Sequence, residues 1–247
     1  MKTGVILILG ATSPIARALA NYLAAKGNSL YLTSRDPEEL RRIASDIKHR
    51  YDVKVWEASF DAEKLDTHTP FFQEVVRETG GLEGVVLAFG YLGEQSKASK
   101  DPSEAQKILN RNFLGAVSIL DECANYFEAK GSGFIAGLSS VAGDRGRQSN
   151  YCYGTAKSAL TTYLQGLRNR LYSSGVNVLT VKLGFVDTGM TFGKKGMFLV
   201  ADPKEMGKKI GQAIEAKKDI VYLPWFWRYI MLIITCIPEK IFKRLKL

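Results

Sequence analysis

The chain has 247 residues, of which 46% are hydrophobic and 24% charged, and its formal net charge is +9. This composition is typical of a globular protein with a large core and argues against a disordered chain. The two histidines and three cysteines lack metal-ligand and disulfide spacing, which predicts no metal site, no Ser-His-Asp triad, and reduced thiols in a cytoplasmic protein.

Short β-branched runs alternate with longer amphipathic stretches along residues 1–224, where we expect a single domain. In chain order, the predicted elements are strand 5–10, helix 14–27, strand 29–34, helix 37–51, strand 53–58, helix 71–79, strand 84–90, helices at about 102–110 and 112–130, strand 133–140, helix at about 150–173, strand 176–183, helix 203–217 and strand 219–224. Strands buried on both faces and joined by helices indicate an α/β fold with a doubly wound parallel sheet of about seven strands. Right-handed crossovers then place a ligand at the carboxyl ends of the strands, where the strand order reverses.

Much of the positive charge lies near the C-terminal end. Residues 194–247 hold twelve Lys or Arg and five Asp or Glu, so they account for +7 of the net charge. Such a segment is compatible with a nucleic acid, an anionic membrane surface, a phosphate-bearing substrate or a solvated face without a partner. The motifs described below favour a small-molecule substrate, and we expect no nucleic-acid partner.

The loop GATSPIAR follows the first strand and opens the first helix. Gly10 provides for a tight turn, and Thr12 and Ser13 offer hydroxyl and amide groups to a phosphate. Pro14 stands where such loops usually carry glycine, although it pre-sets φ for the first helical residue. The backbone amide of Ile15 is then the expected pyrophosphate donor. Taken alone, the loop leaves open whether it binds a nucleotide or only connects a strand to a helix.

A second motif, SSVAGDRGRQSNYCYGTAK, lies on the predicted strand 133–140 and the helix after it. Tyr153 and Lys157 are one helical turn apart, so we expect both on one helix face, with the ammonium lowering the pKa of the phenol. That pair provides a general acid or base, and Ser140 at the strand end provides a hydrogen bond to a carbonyl oxygen. A Tyr-x-x-x-Lys pair by itself is also common on helix surfaces.

Together these motifs resemble those of the short-chain dehydrogenase/reductase family, whose fold is Rossmann-like. The resemblance implies that Ser140, Tyr153 and Lys157 carry out carbonyl reduction or alcohol oxidation with a nicotinamide dinucleotide. Tyr153 donates the proton, Lys157 holds the ribose hydroxyls of the cofactor, and Ser140 orients the substrate. Asn112, in NRNFLGA, matches the asparagine that completes the family's proton relay, with a helix-capping or core asparagine as the alternative.

The second strand ends in LTSRD, which bears on the choice of cofactor. Ser34 and Arg35 form a plausible cradle for a 2′-phosphate, which favours NADP(H) over NAD(H). Asp36 is the counter-argument, although it is well placed to cap the following helix. Asp61 matches the family's adenine-contacting aspartate, and a turn-capping aspartate is the alternative.

Two further loops match the family in part. LAFG ends at Gly90, where most members carry an Asn-Asn-Ala-Gly run, and LGFVDT has Leu183 in place of a usual proline. Gly184, Val186 and Thr188 keep the cofactor-binding pattern, and the resemblance makes Thr188 the partner of the nicotinamide carboxamide. These departures indicate a divergent branch of the family.

Residues 225–247 form an aromatic, apolar and basic tail. Its apolar stretch, 229–237, is far shorter than the roughly 20 residues of a membrane-spanning helix. An interfacial helix fits better, with Trp225, Phe226 and Trp227 at headgroup level. Toward anionic lipid it would present Lys240, Lys243, Arg244 and Lys246. The alternatives are that the aromatic side chains close the core or form an oligomer interface.

Three segments resemble one subgroup of this family more closely than the family as a whole: AFGYLGEQ, YGTAKSAL and FWRYIMLIITCIPEKIFKRL. They are similar to the decaprenylphosphoryl-2-keto-erythro-pentose reductases, which implies a 2-keto sugar on a lipid phosphate as substrate and a flavin-dependent oxidase as partner. It also implies a homo-oligomer in the cytoplasm, peripheral to the inner face of the membrane. The alternatives are a reductase of another hydrophobic ketone (a steroid, a long-chain keto-lipid or an acyl thioester) and a non-catalytic NADP-binding protein.

Overall fold

The computed structural model describes residues 3–189 and 199–245, in which strands and helices alternate. The strands are β1 Val5–Leu9, β2 Ser29–Ser34, β3 Val55–Ser59, β4 Gly84–Leu87, β5 Gly133–Ser140, β6 Val176–Leu183 and β7 Ile220–Leu223. The helices are α1 Pro14–Ala25, α2 Pro37–Arg50, α3 His68–Thr79, α4 Gln95–Ala98, α5 Pro102–Leu109, α6 Gly115–Lys130, α7 Tyr151–Leu171, α8 Pro203–Glu215, α9 Trp227–Cys236 and α10 Glu239–Phe242.

The strands form one parallel sheet in the order β3-β2-β1-β4-β5-β6-β7. This confirms the predicted doubly wound, Rossmann-like fold with helices on both faces. Along β1, Ile6 and Ile8 join the core on one face of the sheet, and Leu7 and Leu9 join the core on the other. Each such fully buried side chain contributes about 2 kcal/mol to folding. The strand order reverses between β1 and β4, so a crevice opens beyond their carboxyl ends.

Four helices begin at a proline that follows a polar capping residue, and this arrangement fixes where the loops end. Each cap accepts a hydrogen bond from a backbone N–H of the first turn, which the helix itself leaves unpaired. The caps are Ser13, Asp36, Asp101 and Asp202. The cap on α2 confirms the predicted role of Asp36.

Some element boundaries differ from the predicted ones. β3 begins at Val55 because the chain first makes a tight turn, in which the N–H of Val53 donates to the carbonyl of Tyr51 at 2.9 Å. α3 begins earlier than predicted, at His68, whose buried ring contacts Ser118 Oγ at 2.9 Å. The short α4 was not predicted, and the helix pair near residue 111 is joined by a π-helical turn, Asn110–Leu114.

The C-terminal tail folds back onto the sheet as α9 and α10. Trp227 and Met231 of α9 are buried against Val141, which follows β5. Arg145 fixes the far end of α9, because its guanidinium donates to the carbonyl of Ile234 at 2.7 Å and to that of Ile237 at 2.6 Å. Within residues 3–189 and 199–245, we find no helix with both the length and the apolar character that a membrane span requires.

Candidate active site

A cavity of about 950 Å³ lies at the carboxyl ends of the strands. It is walled by the loops after β1, β2, β3, β4, β5 and β6, by the first turns of α7, and by α9. The predicted site residues that line it are Gly10, Thr12, Ser13, Ile15, Ser34, Arg35, Asp61, Gly90, Ser140, Tyr153, Lys157, Gly184, Val186 and Thr188. The fold therefore brings residues of both motifs into one cavity, although their roles stay predictions.

The loop after β1 has the geometry of a phosphate-binding turn. Gly10 has a φ of +90°, and a Cβ there would lie 2.7 Å from the backbone nitrogen of Phe89, so only glycine fits. Ser13 Oγ accepts a hydrogen bond from the N–H of Ala16 at 3.1 Å, and Pro14 is the first residue of α1. The N-terminus of α1 thus opens on the cavity, and its positive dipole end suits a pyrophosphate.

The loops after β2 and β3 form the end of the cavity farthest along the sheet from β5. Ser34 Oγ shares a hydrogen bond with Thr12 Oγ1 at 3.1 Å and accepts another from the N–H of Asp36. The Asp36 carboxylate accepts the first two free amides of α2, so it caps the helix. Arg35 is exposed at the cavity edge. Asp61 also lines the cavity, and its Oδ1 accepts the N–H of Glu63 at 3.1 Å, which matches the alternative of a turn-capping aspartate.

The other end of the cavity holds the strand-end serine and the tyrosine–lysine pair. Ser140, the last residue of β5, has its Oγ 3.3 Å from the carbonyl of Leu183 and accepts the N–H of Ala142 at 3.1 Å. Lys157 is buried, and its Nζ lies 5.8 Å from the ring centre of Tyr153 and donates to the carbonyl of Leu138 at 2.9 Å. Both side chains project from one face of α7, as their spacing predicted.

The ionisation of the pair differs from the sequence-based expectation. Burial raises the pKa of Tyr153 to about 12, and the opposing hydrogen bond with Ser140 is the weaker influence. Burial also lowers the pKa of Lys157 to about 8. The expectation that Lys157 lowers the pKa of Tyr153 below its reference value is wrong for the protein without a ligand, because burial disfavours the charged phenolate. Tyr153 is therefore protonated at neutral pH, as a proton donor must be.

Asn112 lies in the π-helical turn and does not line the cavity. Its Nδ2 donates to the carbonyls of Tyr91 at 2.6 Å and Ile108 at 2.8 Å, and its Oδ1 accepts the N–H of Tyr91 at 3.0 Å. The buried side chain thus anchors the loop after β4, as in the core-asparagine alternative. Its place in a proton relay stays a prediction.

The loop after β6 carries Gly184, Val186 and Thr188 along the cavity wall. A Cβ on Gly184 would overlap the indole nitrogen of Trp227, so this glycine allows α9 to pack close to β6. A single parallel bridge joins Val186 to Ala201 and holds the loop in place.

Many lining residues were not predicted as part of the site from the sequence, and four of them bear on the substrate. Trp227 and Ile234 come from α9, and Arg147 and Asn150 come from the loop between β5 and α7. The sequence does indicate that Arg147 and Asn150 lie near the site, because their loop connects Ser140 to Tyr153.

Comparison with known proteins decides the family. The profile of the short chain dehydrogenases matches residues 4–196 of the chain. The chain belongs to the short-chain dehydrogenase family. As a short-chain dehydrogenase, it is an NAD(P)-dependent oxidoreductase that acts on CH–OH and C=O groups.

The relatives of this dehydrogenase agree with that assignment. An uncharacterized oxidoreductase of Mycobacterium tuberculosis is 32% identical over 240 residues, which cover 97% of this chain and 96% of the relative. A xylitol dehydrogenase bound to NAD+ has a TM-score of 0.77 at 18% identity, over 88% of this chain and 95% of that one. An alcohol dehydrogenase from the archaeon Thermococcus sibiricus, complexed with 5-hydroxy-NADP, has a TM-score of 0.78 at 22% identity, over 90% and 96%. The two structures share the fold of this short-chain dehydrogenase.

Proposed function

We propose that this dehydrogenase uses NADPH to reduce the ketone of a 2-keto sugar carried on a polyprenyl phosphate. The observation that carries the proposal is that α9 presents apolar side chains on both its inner and its outer face. Its inner face contributes Trp227 and Ile234 to the cavity, while its outer face exposes Leu232 and Ile233 to solvent. The prenyl chain of such a substrate has apolar surface that would pack against both faces of α9. The similarity of the tail to that of the lipid-linked keto-sugar reductases supports the same substrate.

In the proposed reaction, the bound cofactor supplies a hydride to the carbonyl carbon. Tyr153, protonated at neutral pH, donates its phenolic proton to the carbonyl oxygen. Ser140 Oγ donates a hydrogen bond to that oxygen and stabilises its developing charge. The Lys157 ammonium holds the ribose hydroxyls and stabilises the phenolate that remains on Tyr153.

The preference for NADPH rests on the end of β2. The carboxylate of Asp36 is turned to the amides of α2 and does not compete for a ribose hydroxyl. Arg35 is exposed at the cavity edge next to the buried Ser34, so a guanidinium and a hydroxyl are available to a 2′-phosphate.

The outer face of α9 is the proposed membrane contact. Trp225, Leu232 and Ile233 are 65%, 60% and 67% exposed, so one short segment leaves three large apolar side chains open to solvent. Arg228 lies among them, and exposed Lys240, Lys243 and Arg244 follow on the next turns. Cations beside an exposed apolar face fit the anionic inner surface of a membrane. Co-sedimentation with phosphatidylglycerol vesicles tests this contact, and equal binding to neutral phosphatidylcholine vesicles would remove the role of the cations.

The proposed partner is a flavin-dependent oxidase that makes the keto sugar from a polyprenylphosphoryl pentose. The test is to combine the two proteins with that pentose and NADPH and to follow the epimerised lipid-linked product. NADPH oxidation without change in the lipid-linked sugar would contradict the proposal. A homo-oligomer is proposed from the family resemblance alone, and light scattering after size-exclusion chromatography tests it.

The second candidate is reduction of another hydrophobic ketone, such as a steroid, a long-chain keto-lipid or an acyl thioester. The apolar inner face of α9 favours it equally, because Trp227 and Ile234 carry no charge. The kcat/KM for ketones with and without a phosphate group separates the two candidates. A non-catalytic NADP-binding protein would turn over neither.

A further inference from the structure

We infer that Arg147 and Asn150 form a subsite that binds the phosphate and a hydroxyl group of the substrate. Both belong to the loop between β5 and α7, and both line the cavity that holds Ser140 and Tyr153. The inference rests on the proposed function and specifies how this cavity recognises the polar part of its substrate.

The other charged groups of this loop already have partners. Asp144 is bound by two groups, since Lys182 Nζ donates to its Oδ1 at 2.5 Å and Tyr222 Oη donates to its Oδ2 at 2.9 Å. Arg145 donates to the last carbonyls of α9 and lies 3.0 Å from a carboxylate oxygen of Glu239. Neither residue is therefore available to Arg147 or to a ligand.

Arg147 differs from both of these neighbours. Its Nε is shielded from solvent and has no hydrogen-bond partner within residues 3–189 and 199–245. Burial lowers the pKa of its guanidinium, and the charge of Asp144 only partly opposes that effect. A partly desolvated cation without a paired anion is less favourable than a paired one. An anionic group of a ligand would supply the missing partner, and the planar guanidinium binds phosphate through two parallel hydrogen bonds.

Asn150 adds an acceptor beside this cation. It stands at the N-cap of α7, yet its side chain makes no capping hydrogen bond, which is the usual reason for an asparagine there. Its Oδ1 is buried and lacks a partner among the residues that the structure describes. A buried amide oxygen of this kind is satisfied by a ligand hydroxyl, which is a donor.

The position of the pair within the cavity indicates the kind of ligand. Arg147 and Asn150 supply a cation and an acceptor, Tyr153 supplies the proton, and Trp227 and Ile234 supply apolar surface. A ligand that satisfies all of these groups carries a phosphate ester, at least one hydroxyl and an apolar chain beside its carbonyl. A neutral ketone leaves the Arg147 guanidinium unpaired, so the subsite selects for phosphorylated substrates.

The experiment uses two lipid-free probes, ribose 5-phosphate and phenyl phosphate, on the enzyme saturated with NADPH so that the cofactor already fills its own phosphate sites. Calorimetric titration compares the wild type with Arg147→Gln, Arg147→Lys and Asn150→Ala. We expect Arg147→Gln to weaken the binding of both probes by about tenfold or more. Arg147→Lys should weaken their binding less, because lysine keeps the positive charge but lacks the planar guanidinium that forms two parallel hydrogen bonds. Asn150→Ala should weaken the binding of ribose 5-phosphate only, since phenyl phosphate has no sugar hydroxyl to donate to the amide oxygen.

Equal affinity of the wild type and Arg147→Gln for both probes, or no binding of either probe to the wild type, would overturn the inference. A parallel loss of NADPH affinity in Arg147→Gln would assign Arg147 to the cofactor and overturn it as well. NADPH affinity and the circular dichroism spectrum also report whether each variant is folded. Because the probes carry neither a prenyl chain nor a ketone, the result is independent of whether the lipid-linked keto sugar is the substrate.

Discussion

Replacing Lys157 by methionine should make the protein more stable while it removes activity. Lys157 is buried, and its pKa falls from 10.5 to about 8, so its charged form costs about 3 kcal/mol of folding free energy at pH 7. The variant also loses the hydrogen bond to the carbonyl of Leu138, and this loss reduces the gain in stability by about 1 kcal/mol. A net gain of about 2 kcal/mol corresponds to a Tm rise of roughly 4–8 °C for a chain of this size.

The sign of the pH dependence follows from the direction of the shift. Because the folded-state pKa of Lys157 is lower than the unfolded one, the wild type gains stability as pH rises from about 8 to 10.5. The advantage of Lys157→Met is therefore largest below pH 8 and disappears by pH 10.5. Thermal unfolding of the cofactor-free proteins at pH 7 and pH 10, followed by circular dichroism, measures both effects.

Lys182→Met is the matched control, because Lys182 is a half-buried lysine with a partner. Its ammonium pairs with Asp144, and hydrogen bonds to Asp144 and Tyr222 raise its pKa despite burial. Its removal leaves the carboxylate without a cation and should destabilise the protein by about 3 kcal/mol. A Lys157→Met variant that is less stable than the wild type at pH 7, or whose stability difference is the same at pH 10, would show that the buried ammonium does not destabilise the folded protein.

Three further substitutions test other parts of the site. Tyr153→Phe should lower the rate of hydride transfer by about 100-fold or more while NADPH still binds, and an unchanged rate would remove Tyr153 from the mechanism. Arg35→Ala should raise the Kd for NADPH by about tenfold or more but change the Kd for NADH little, as measured by fluorescence titration; equal losses would contradict the 2′-phosphate cradle. Gly184→Ala should destabilise the protein by about 2 kcal/mol, because its Cβ overlaps Trp227. Gly166→Ala, in open space on α7, should instead stabilise it by about 0.5 kcal/mol, and urea unfolding compares the two.

Much of the fold was predictable because the sequence pattern of these elements agrees with how they are buried in the folded chain. The apolar runs of β1 and β5 are buried on both faces, and proline after a capping residue marks the start of α1 and α8. The boundaries that differ depend on contacts that no local pattern contains. α3 begins early because the ring of His68 bonds to Ser118, which lies on α6.

The site was predictable where its residues share a short motif, and not where distant parts of the chain meet. Arg145 and Arg147 look equivalent in sequence, yet only the fold shows that Arg145 is bound to α9 and that Arg147 faces the cavity. The spacing of Tyr153 and Lys157 predicted their common face, but the effect of burial on both pKa values depends on how closely the surrounding elements pack. The contribution of α9 to the cavity likewise follows from its tertiary position.

In the proposed reaction, this short-chain dehydrogenase delivers a hydride from NADPH to a lipid-linked keto sugar. The most direct measurement supplies NADPH deuterated at the transferable C4 position together with polyprenylphosphoryl 2-ketopentose and analyses the lipid-linked product by mass spectrometry. We expect deuterium at C2 of the lipid-linked sugar with the wild type and, in the same reaction time, at least about 100-fold less with Tyr153→Phe. Oxidation of the deuterated NADPH by the wild type without deuterium in the lipid-linked sugar would contradict it.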